Sequence, residues 1–250
     1  MATTPGFGVD VGGSATKGAP VDLRRGSLDE ERVRIHTPQP ATPEAVAKVV
    51  AAITSEFGWH GPMGVTLPCV VKEGVAFTAA NVDGSWIGTD AAALFSEHCR
   101  VPVTVLNDAD AAGLAEMRFG AGRDRDGVVL LLTFGTGIGS AVFLDGELVP
   151  NTELGHLQVD GVDAEDRAAA SARESEALSW GDWAFRVSRY LQVLENLLWP
   201  DLIILGGGVS KKAEKWLPLL QCRSPVVAAA LRNDAGIVGA AVAAAEGRVR

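Results

Sequence analysis

Apolar positions along this chain form short runs that end in glycine-rich turns, and longer segments of helical spacing separate them. The run "FGVD" at 7–10 predicts the end of a buried strand, and the glycines after it predict a tight hairpin turn. Two further short strands are predicted by "MGVTLP" at 63–68 and "VPVTVLN" at 101–107. The first part of the chain therefore predicts strands separated by turns and helices.

Helices are predicted by apolar spacing together with capping residues. Thr42 is a predicted N-cap and Pro43 a first helical residue, and the helix after them is expected to run to about Phe57. "DADAAGLAEMRFG" at 108–120 predicts a helix that begins directly after a strand. Residues 167–199 are predicted to be mostly helical, and "GIVGAAVAAA" at 236–245 predicts a helix of small residues.

The second part of the chain repeats the opening pattern. Residues 127–149 predict a long strand, a Gly/Thr turn, a second strand and a turn at Asp145-Gly146. Residues 201–210 predict a strand and a glycine loop, with a lysine-rich helix after them. Because "VDVGGSATKG" and "LTFGTGIGSA" share one strand–turn–strand pattern, the sequence indicates two related halves that present glycine hairpins to a shared cleft.

Composition narrows the class of protein. The 250 residues suffice for one large domain or two smaller ones, and 47% of them are apolar. A net charge of −9 disfavours a general nucleic-acid-binding role, and no apolar run predicts a membrane span. The N-terminus shows no secretory signal, and three widely separated cysteines predict a reducing, cytoplasmic location without a disulfide framework.

The opening turn combines an acid with groups that suit a phosphate. Its glycines allow backbone N–H groups to converge on an anion, and nearby hydroxyl and ammonium groups add donors. An acid in such a turn suits a Mg²⁺ ion between it and the phosphate, bound through water. The alternative is a plain hairpin with surface charges. The candidates are Asp10 for the metal and Gly12, Gly13, Ser14, Thr16 and Lys17 for phosphate.

Two later glycine turns follow the same logic without an acid. "TFGTGIGSA" at 133–141 offers Thr136 and Gly137, and its alternative is a glycine hairpin with no ligand. "LGGGVS" at 205–210 places Gly206, Gly207 and Gly208 at a strand end, a frequent ligand position in α/β sheets. Three such turns together favour a phosphate-binding protein.

Asp108 is the candidate catalytic residue. It follows an apolar strand and opens a helix, so it is either an ordinary N-cap or a general base that accepts a proton from an attacking hydroxyl. A separate set of amides, acids and an imidazole suits a polyhydroxyl ligand, with polar surface loops as the alternative. That set is Asn81, Asn107, Glu153, His156 and Glu165.

Together these motifs resemble the ROK sugar kinases of the actin/hexokinase-like ATPase superfamily, in particular the bacterial kinases that use inorganic polyphosphate. The resemblance covers nearly the whole chain, from "DVGGSATKG" through "NDADAAGLAE" and "ELGHLQVDGVDAE" to "GIVGAA". It implies an α/β, ribonuclease H-like fold of two domains with a cleft between them. We place the first domain at 1–107, joined by the helix at 235–250, and the second at 108–234.

The resemblance also implies roles. Asp108 would activate the 6-hydroxyl of glucose, and Asn81, Asn107, Glu153, His156 and Glu165 would hold the sugar. Mg²⁺ and a phosphoryl donor, polyphosphate or ATP or both, are the expected cofactors, and a homodimer is the expected assembly. Many relatives carry a cysteine-rich zinc motif after the Gly-His pair, but "GHLQVDGVDAED" has no cysteine, so no zinc is expected.

Two alternatives stay open. An ATP-dependent ROK hexokinase for mannose, N-acetylglucosamine or fructose would share every catalytic motif and differ only in the sugar loops. A non-catalytic, sugar-sensing ROK protein would need an N-terminal helix-turn-helix, for which the turn at Asp10 leaves no room in this sequence. For polyphosphate, the candidate basic track is Lys17, Arg118, Arg123, Lys211, Lys212, Lys215 and Arg232.

Overall fold

The computed structural model describes residues 5–247. It divides them into two compact units, one holding the residues up to Ala115 together with those from Asp234 onward, the other Glu116–Asn233. The division falls inside a helix that opens at Asp108, whereas the sequence placed a boundary before that helix.

The first half of the chain carries eight strands and three helices among the described residues. The strands are β1 Pro5–Val11, β2 Ala15–Asp22, β3 Ser27–Leu28, β4 Val33–His36, β5 Met63–Leu67, β6 Val71–Lys72, β7 Val75–Ala76 and β8 Val103–Asn107. The helices are α1 Pro43–Glu56, α2 Ala91–Cys99 and α3 Asp108–Phe119.

The later part of the chain adds seven strands and four helices within the described range. The strands are β9 Val128–Phe134, β10 Ile138–Leu144, β11 Glu147–Val149, β12 Gln158–Val159, β13 Val162–Asp163, β14 Leu202–Gly207 and β15 Val226–Ala228. The helices are α4 Ala164–Ala168, α5 Ala170–Ser175, α6 Trp180–Leu198 and α7 Ala235–Glu246.

Both units build their main sheet in the same way. In the first, the antiparallel pair β1–β2 continues into the parallel strands β5 and β8. In the second, the antiparallel pair β9–β10 continues into the parallel strands β14 and β15. The strand–turn–strand repeat predicted from the sequence is thus confirmed as two equivalent hairpins.

The predicted start of α1 is confirmed by its cap. The Thr42 side chain accepts the N–H of Ala45, and Pro43 takes the first helical position, where its missing N–H costs nothing. The helix buries Val46, Val50 and Ile53 against the sheet of the first unit. Its apolar spacing was therefore a correct guide to the buried face.

Helix α7 covers β1 and β5 at unusually short range. A Cβ at Gly8 or Gly64 would collide with the backbone carbonyl of Ile237 or Ala240, so only glycine allows this approach. Ile237, Val238 and Ala240 of α7 are fully buried there. The helix of small residues therefore completes the core of the first unit.

Helix α6 supplies the core of the second unit. Trp183, Val187, Tyr190 and Leu194 lie on one stripe and are buried, with the Trp183 ring edge-on to Phe134 at 5.6 Å between centroids. Trp183 and Tyr190 are almost fully buried, so both side chains belong to the core of this unit.

The segment after β14 departs from the sequence prediction. A regular helix was expected there, but residues Gly208–Lys215 form 3-10 turns with a kink at Lys212, whose φ and ψ are −121° and 27°. Three lysines and a glutamate leave this segment little apolar surface to bury, so no packed face holds it as an α-helix.

Candidate functional site

Asp10 stands near the end of β1, fixed by two partners. Thr66 on the neighbouring strand donates its hydroxyl hydrogen to Asp10 Oδ1 at 3.0 Å. Lys17, directly across the hairpin, places Nζ 3.6 Å from Oδ2. Because the carboxylate is still about one-fifth exposed, it is oriented and yet open to a ligand.

The hairpin turn after Asp10 is braced by hydrogen bonds to its backbone carbonyl oxygens. The Thr37 hydroxyl donates to the carbonyl oxygen of Gly12 at 2.6 Å, and Gln39 Nε2 donates to that of Gly13 at 3.0 Å. Thr16, predicted as a phosphate donor, is fully buried with Oγ1 3.1 Å from Thr37 Oγ1. The structure therefore assigns Thr16 to this bracing, because a side chain turned into the core presents no hydroxyl to a phosphate.

The other residues of this turn differ in what they can still offer a phosphate. Ser14 is exposed at the tip, while the Gly12 N–H is already used by the carbonyl oxygen of Ala15 at 3.1 Å. Gly13 packs against the segment that carries Asn81, since a Cβ there would lie 3.3 Å from the Asn81 carbonyl oxygen. Asn81, predicted as a sugar ligand, is thus brought beside the predicted phosphate turn.

Asn107 and Asp108 lie where β8 passes into α3. Asn107 is the effective N-cap, because its Oδ1 accepts the N–H groups of Ala109 at 2.8 Å and Asp110 at 3.1 Å. Its Nδ2 donates to the carbonyl oxygen of Cys69 at 3.1 Å. Asp108 is therefore not needed as the cap, although its Oδ1 also accepts the Ala109 N–H at 2.8 Å.

Asp10 and Asp108 occupy the same edge of one sheet. Asp10 pairs with Thr66 in the parallel register of β1 and β5, and Leu67 pairs with Asn107 in that of β5 and β8. The carboxyl ends of these three strands therefore meet at one edge, which is a general position for ligands in α/β sheets. Asp110, by contrast, is buried within α3.

The second glycine turn lies between β9 and β10 and is tied to α5. Ser171 donates its hydroxyl hydrogen to the Thr136 carbonyl oxygen at 2.6 Å, and its N–H to that of Gly135 at 3.1 Å. Thr136 itself is exposed, and Gly137 lies directly against the Glu165 carboxylate. The turn is thus held in place while its tip remains open.

The third glycine loop ends β14 beside the second turn. Gly206 and Gly207 pair with Thr133 and Phe134 of β9 in parallel register. Gly207 adopts φ of 82°, and a Cβ there would overlap the Phe134 backbone, so this position requires glycine. Gly208 is exposed at the end of the strand. Two predicted phosphate turns therefore adjoin in the second unit.

A cluster of three acids surrounds His156. Its Nδ1 lies 3.2 Å from Asp163 Oδ2 and 3.7 Å from Glu165 Oε1, and its Nε2 lies 4.0 Å from Glu153 Oε2. Glu165 Oε2 also accepts the N–H of Ile138 at 3.1 Å, which joins the cluster to the β9–β10 turn. Glu153, His156 and Glu165, predicted together from the sequence, are brought together here.

Charge and burial act against one another in this cluster. Partial burial raises the pKa of Glu153, opposed by the charge of His156 and reinforced by that of Glu165. Burial also disfavours a charged His156 ring, but the hydrogen bond to Asp163 and the charges of Glu165, Asp163 and Glu153 outweigh it, so the pKa of His156 is raised. The cluster can accept and donate hydrogen bonds to vicinal hydroxyls.

Sequence reasoning missed three supporting residues. They are Thr66, Asp163 and Ser171, each of which orients a predicted site group through a contact described above. Between residues 5 and 247, no group of three or more His, Cys, Asp or Glu is arranged to hold a metal ion. Over the same range no helix is both long and apolar enough to cross a membrane.

Comparison with known proteins decides the family. The model of the ROK family matches residues 6–171. The chain belongs to the ROK family. The α/β fold of the actin/hexokinase-like ATPases, expected from the resemblance, is confirmed by its structural neighbours in this family.

Two relatives within the ROK family are similar over nearly the whole chain. A polyphosphate glucokinase of Mycobacterium tuberculosis (strain CDC 1551 / Oshkosh) is 59% identical over 95% of this chain and 90% of its own length. The crystal structure of an inorganic polyphosphate/ATP-glucomannokinase from Arthrobacter sp. strain KM is 51% identical, with a TM-score of 0.94 over 98% of this chain and 99% of that one.

A more distant ROK structure bears on the fold alone. The ROK glucokinase of Streptomyces griseus, solved with glucose and AMPPNP, is 24% identical, with a TM-score of 0.82 over 97% of this chain and all of that one.

Proposed function

We propose that this chain is a glucose kinase that transfers the terminal phosphoryl group of inorganic polyphosphate to the 6-hydroxyl of glucose. The observation that carries the proposal is the placement of Asp10 and Asp108 at one edge of one sheet. It occurs in a chain 59% identical to a polyphosphate glucokinase of Mycobacterium tuberculosis. Asp10 would then act at the metal-bound phosphate, and Asp108 at the hydroxyl group of the sugar.

Asp108 is the proposed general base. Its carboxylate accepts the proton of the 6-hydroxyl as that oxygen forms a bond to the terminal phosphorus atom of the donor. The bond from this phosphorus to the bridging oxygen breaks, and the shortened polyphosphate leaves with the electron pair. Asn107 fixes the first turn of α3, so the Asp108 backbone is held in place through the reaction.

Glu153, His156 and Glu165 are the proposed sugar contacts of the second unit, and Asn81 and Asn107 those of the first. The three clustered groups are all partly exposed, so sugar hydroxyls can reach them. Asn107 uses one of its two amide N–H groups on Cys69 and retains the other for a hydroxyl. A site built on such bonds rejects sugars that lack the matching hydroxyl.

The phosphate contacts are proposed on the glycine turns. Ser14, Lys17 and Gly13 would contact phosphate in the first turn, where the N–H of Gly12 instead closes the turn onto Ala15. Thr136, Gly137 and Gly206 to Gly208 would contact it in the second unit. The single carboxylate of Asp10 fits a Mg²⁺ ion that is held indirectly, since Mg²⁺ keeps most of its water. When bound there, the ion neutralises charge on the donor. Asp10 would hold it through water.

ATP is the second candidate donor. The observation that favours it is the structural likeness to the Arthrobacter protein, which is named for both polyphosphate and ATP. Gly206 to Gly208, where β14 ends and the chain reaches the surface at Gly208, are the proposed contacts of a nucleotide. A homodimer, a cytoplasmic location and the lack of a zinc ion stay predictions from the sequence.

The test is a glucose 6-phosphate assay of the purified chain with each donor. We expect turnover with polyphosphate, and a panel of glucose, mannose, N-acetylglucosamine and fructose should give the highest kcat/KM with glucose. Turnover with ATP alone would replace the donor in the proposal. No phosphorylation of any hexose with either donor would refute it and favour a sugar-sensing protein.

A further inference from the structure

The His156 ring is held mainly from its Nδ1 side. Asp163 Oδ2 lies 3.2 Å from Nδ1, which is shorter than the 3.7 Å from Glu165 Oε1 to the same atom. On the other side of the ring, Glu153 Oε2 is 4.0 Å from Nε2. Because a carboxylate only accepts hydrogen bonds, the contact with Asp163 places a proton on Nδ1.

The second oxygen of Asp163 has a different task. Asp163 Oδ1 accepts the N–H of Glu165 at 3.2 Å and so caps the first turn of α4. Glu165 is the residue that reaches back to the Ile138 N–H at the β9–β10 turn. One carboxylate therefore contacts both the ring of His156 and the backbone that carries Glu165.

The backbone that carries His156 is also held in place. Tyr190 of the buried stripe on α6 donates its hydroxyl hydrogen to the Leu154 carbonyl oxygen at 3.0 Å. Leu154 opens the 3-10 turn Leu154–His156, so the backbone of His156 is anchored to the core of the unit. With the backbone fixed, the remaining freedom of His156 is rotation of its ring, which is what Asp163 restricts.

We propose that Asp163 is a positioning residue for the sugar, whose two carboxylate oxygens set the His156 ring and the start of α4 in one fixed arrangement. His156 Nε2 and the Glu165 carboxylate are then presented together to neighbouring hydroxyls. This inference rests on the proposed function of the same cluster. It adds a residue that does not itself need to touch the sugar.

The charge of Asp163 also governs what His156 offers. With Nδ1–H directed at Asp163, a neutral ring presents Nε2 as an acceptor, and a protonated ring presents it as a donor. The ionisable groups that face the ring are Asp163 and Glu165 near Nδ1 and Glu153 near Nε2. Removal of one acid from this set weakens the preference for the charged ring.

The chain offers a matched pair of variants on one hairpin. Asp163→Asn removes the charge at Nδ1 but keeps an oxygen that can cap Glu165. Asp160→Asn is the control, because Asp160 lies in the turn between β12 and β13 and pairs instead with Arg189 at 2.8 and 3.0 Å. Asp163→Ser is a second test variant, since serine is a good N-cap and too short to contact His156 in the same way.

Two readouts separate positioning from folding. In sugar-free protein, an NMR titration should give a lower pKa for His156 in Asp163→Asn than in the wild type, and no change in Asp160→Asn. With polyphosphate as donor, the KM for glucose should rise about tenfold in Asp163→Asn, because the His156 ring loses its hydrogen bond to a charged acceptor and with it its fixed orientation. The kcat should change much less. Asp163→Ser should reproduce both effects, and melting temperatures confirm that each variant is folded.

An unchanged KM or an unchanged pKa of His156 in folded Asp163→Asn would overturn the inference. Equal effects in Asp160→Asn would also overturn it, because the hairpin as a whole would then be responsible. If the wild-type chain phosphorylated no hexose, the proposed function would fall. The NMR arm would still show whether Asp163 sets the state of the ring, so the two failures are distinguishable.

Discussion

Thr66 Oγ1 and Asp10 Oδ1 are 3.0 Å apart, and the same Oγ1 accepts the N–H of Val11 at 3.3 Å. One buried hydroxyl thus links the acid of the first turn to the strand that carries it. Thr66→Val preserves the shape and removes both bonds. We expect a loss of about 1–3 kcal/mol in the free energy of unfolding, because a buried N–H loses its partner.

The same variant should also raise the Mg²⁺ concentration needed for half-maximal activity, since the Asp10 carboxylate would lose its orientation. Urea unfolding and a Mg²⁺ titration of the glucose assay measure the two effects. Thr54→Val is the control, because Thr54 is buried and donates to Val50 within α1, away from the turn. A Mg²⁺ requirement that changes equally in both variants would argue against a role for Thr66 at Asp10.

Asp108→Asn should lower kcat by about 10²–10⁴-fold, the usual contribution of a general base, with little change in stability. Asparagine can still accept the Ala109 N–H, and Asn107 remains the cap. Asp90→Asn is the matched control, since Asp90 caps α2 by accepting the Ala93 N–H. Steady-state kinetics of both variants decide the matter: a near wild-type rate in Asp108→Asn would remove Asp108 from its proposed role.

The exposed lysines after β14 should matter for one donor more than the other. Lys211, Lys212 and Lys215 follow the glycine loop and make no ion pair with another described residue. A long polyanion gains from each added cation, whereas ATP reaches fewer of them. The triple Lys→Gln variant should raise the KM for polyphosphate about tenfold or more and that for ATP much less.

The salt dependence of KM provides the check on this assignment. In the wild type, the KM for polyphosphate should rise with ionic strength, and the triple variant should flatten that rise. Lys48→Gln is the control, because Lys48 lies on α1 and pairs with Glu44 at 3.3 Å. Equal losses with both donors would place the polyphosphate elsewhere.

We expect the charged Glu153 carboxylate to destabilise the fold, although it is a proposed sugar contact. Burial raises its pKa, so the folded protein holds the Glu153 proton more tightly than the unfolded chain does. The charged form therefore destabilises the fold above the raised pKa, and this penalty disappears as the pH falls below the ordinary value of 4.5. Glu153→Gln should melt at a higher temperature than the wild type at pH 7 and lose that advantage in acid.

The activity of Glu153→Gln should move the other way. Loss of the carboxylate should raise the KM for glucose about tenfold, because a hydrogen bond to a charged acceptor is lost. Thermal melts across the pH range and steady-state kinetics on the same samples measure both effects. A variant that is less stable at pH 7, or that binds glucose normally, would contradict the assignment.

Local patterns in the sequence were good guides where a short segment decides its own structure. Thr42 and Pro43 predicted the start of α1, and the glycine turns predicted both hairpins. The failures involve contacts over long separations. Thr66 contacts Asp10 only because β1 and β5 pair. Thr16 is buried, and so cannot reach a phosphate, because β2 also pairs with β4.

The sequence predicted which residues of the candidate site lie near one another, but not which contact each of them makes. Asn107 and Asp108 were both singled out, yet only the structure shows that Asn107 is the helix cap. Glu153, His156 and Glu165 were grouped correctly, but Asp163 was not, since an acid before a short helix is typical of an ordinary cap. The local sequence around Asp163 indicates the helix cap but not the contact with His156.

The glycine-backed contact of α7 with β1 and β5 sets an order for biosynthesis. Those strands are made early, but the helix that covers them follows residue 234. During synthesis, the sheet of the first unit keeps an apolar face uncovered until α7 has been made. Residues 116–233 of the second unit are complete before that point. Stalled chains that end before Ala235 should therefore protect the later-made unit from protease and leave the earlier-made one digestible.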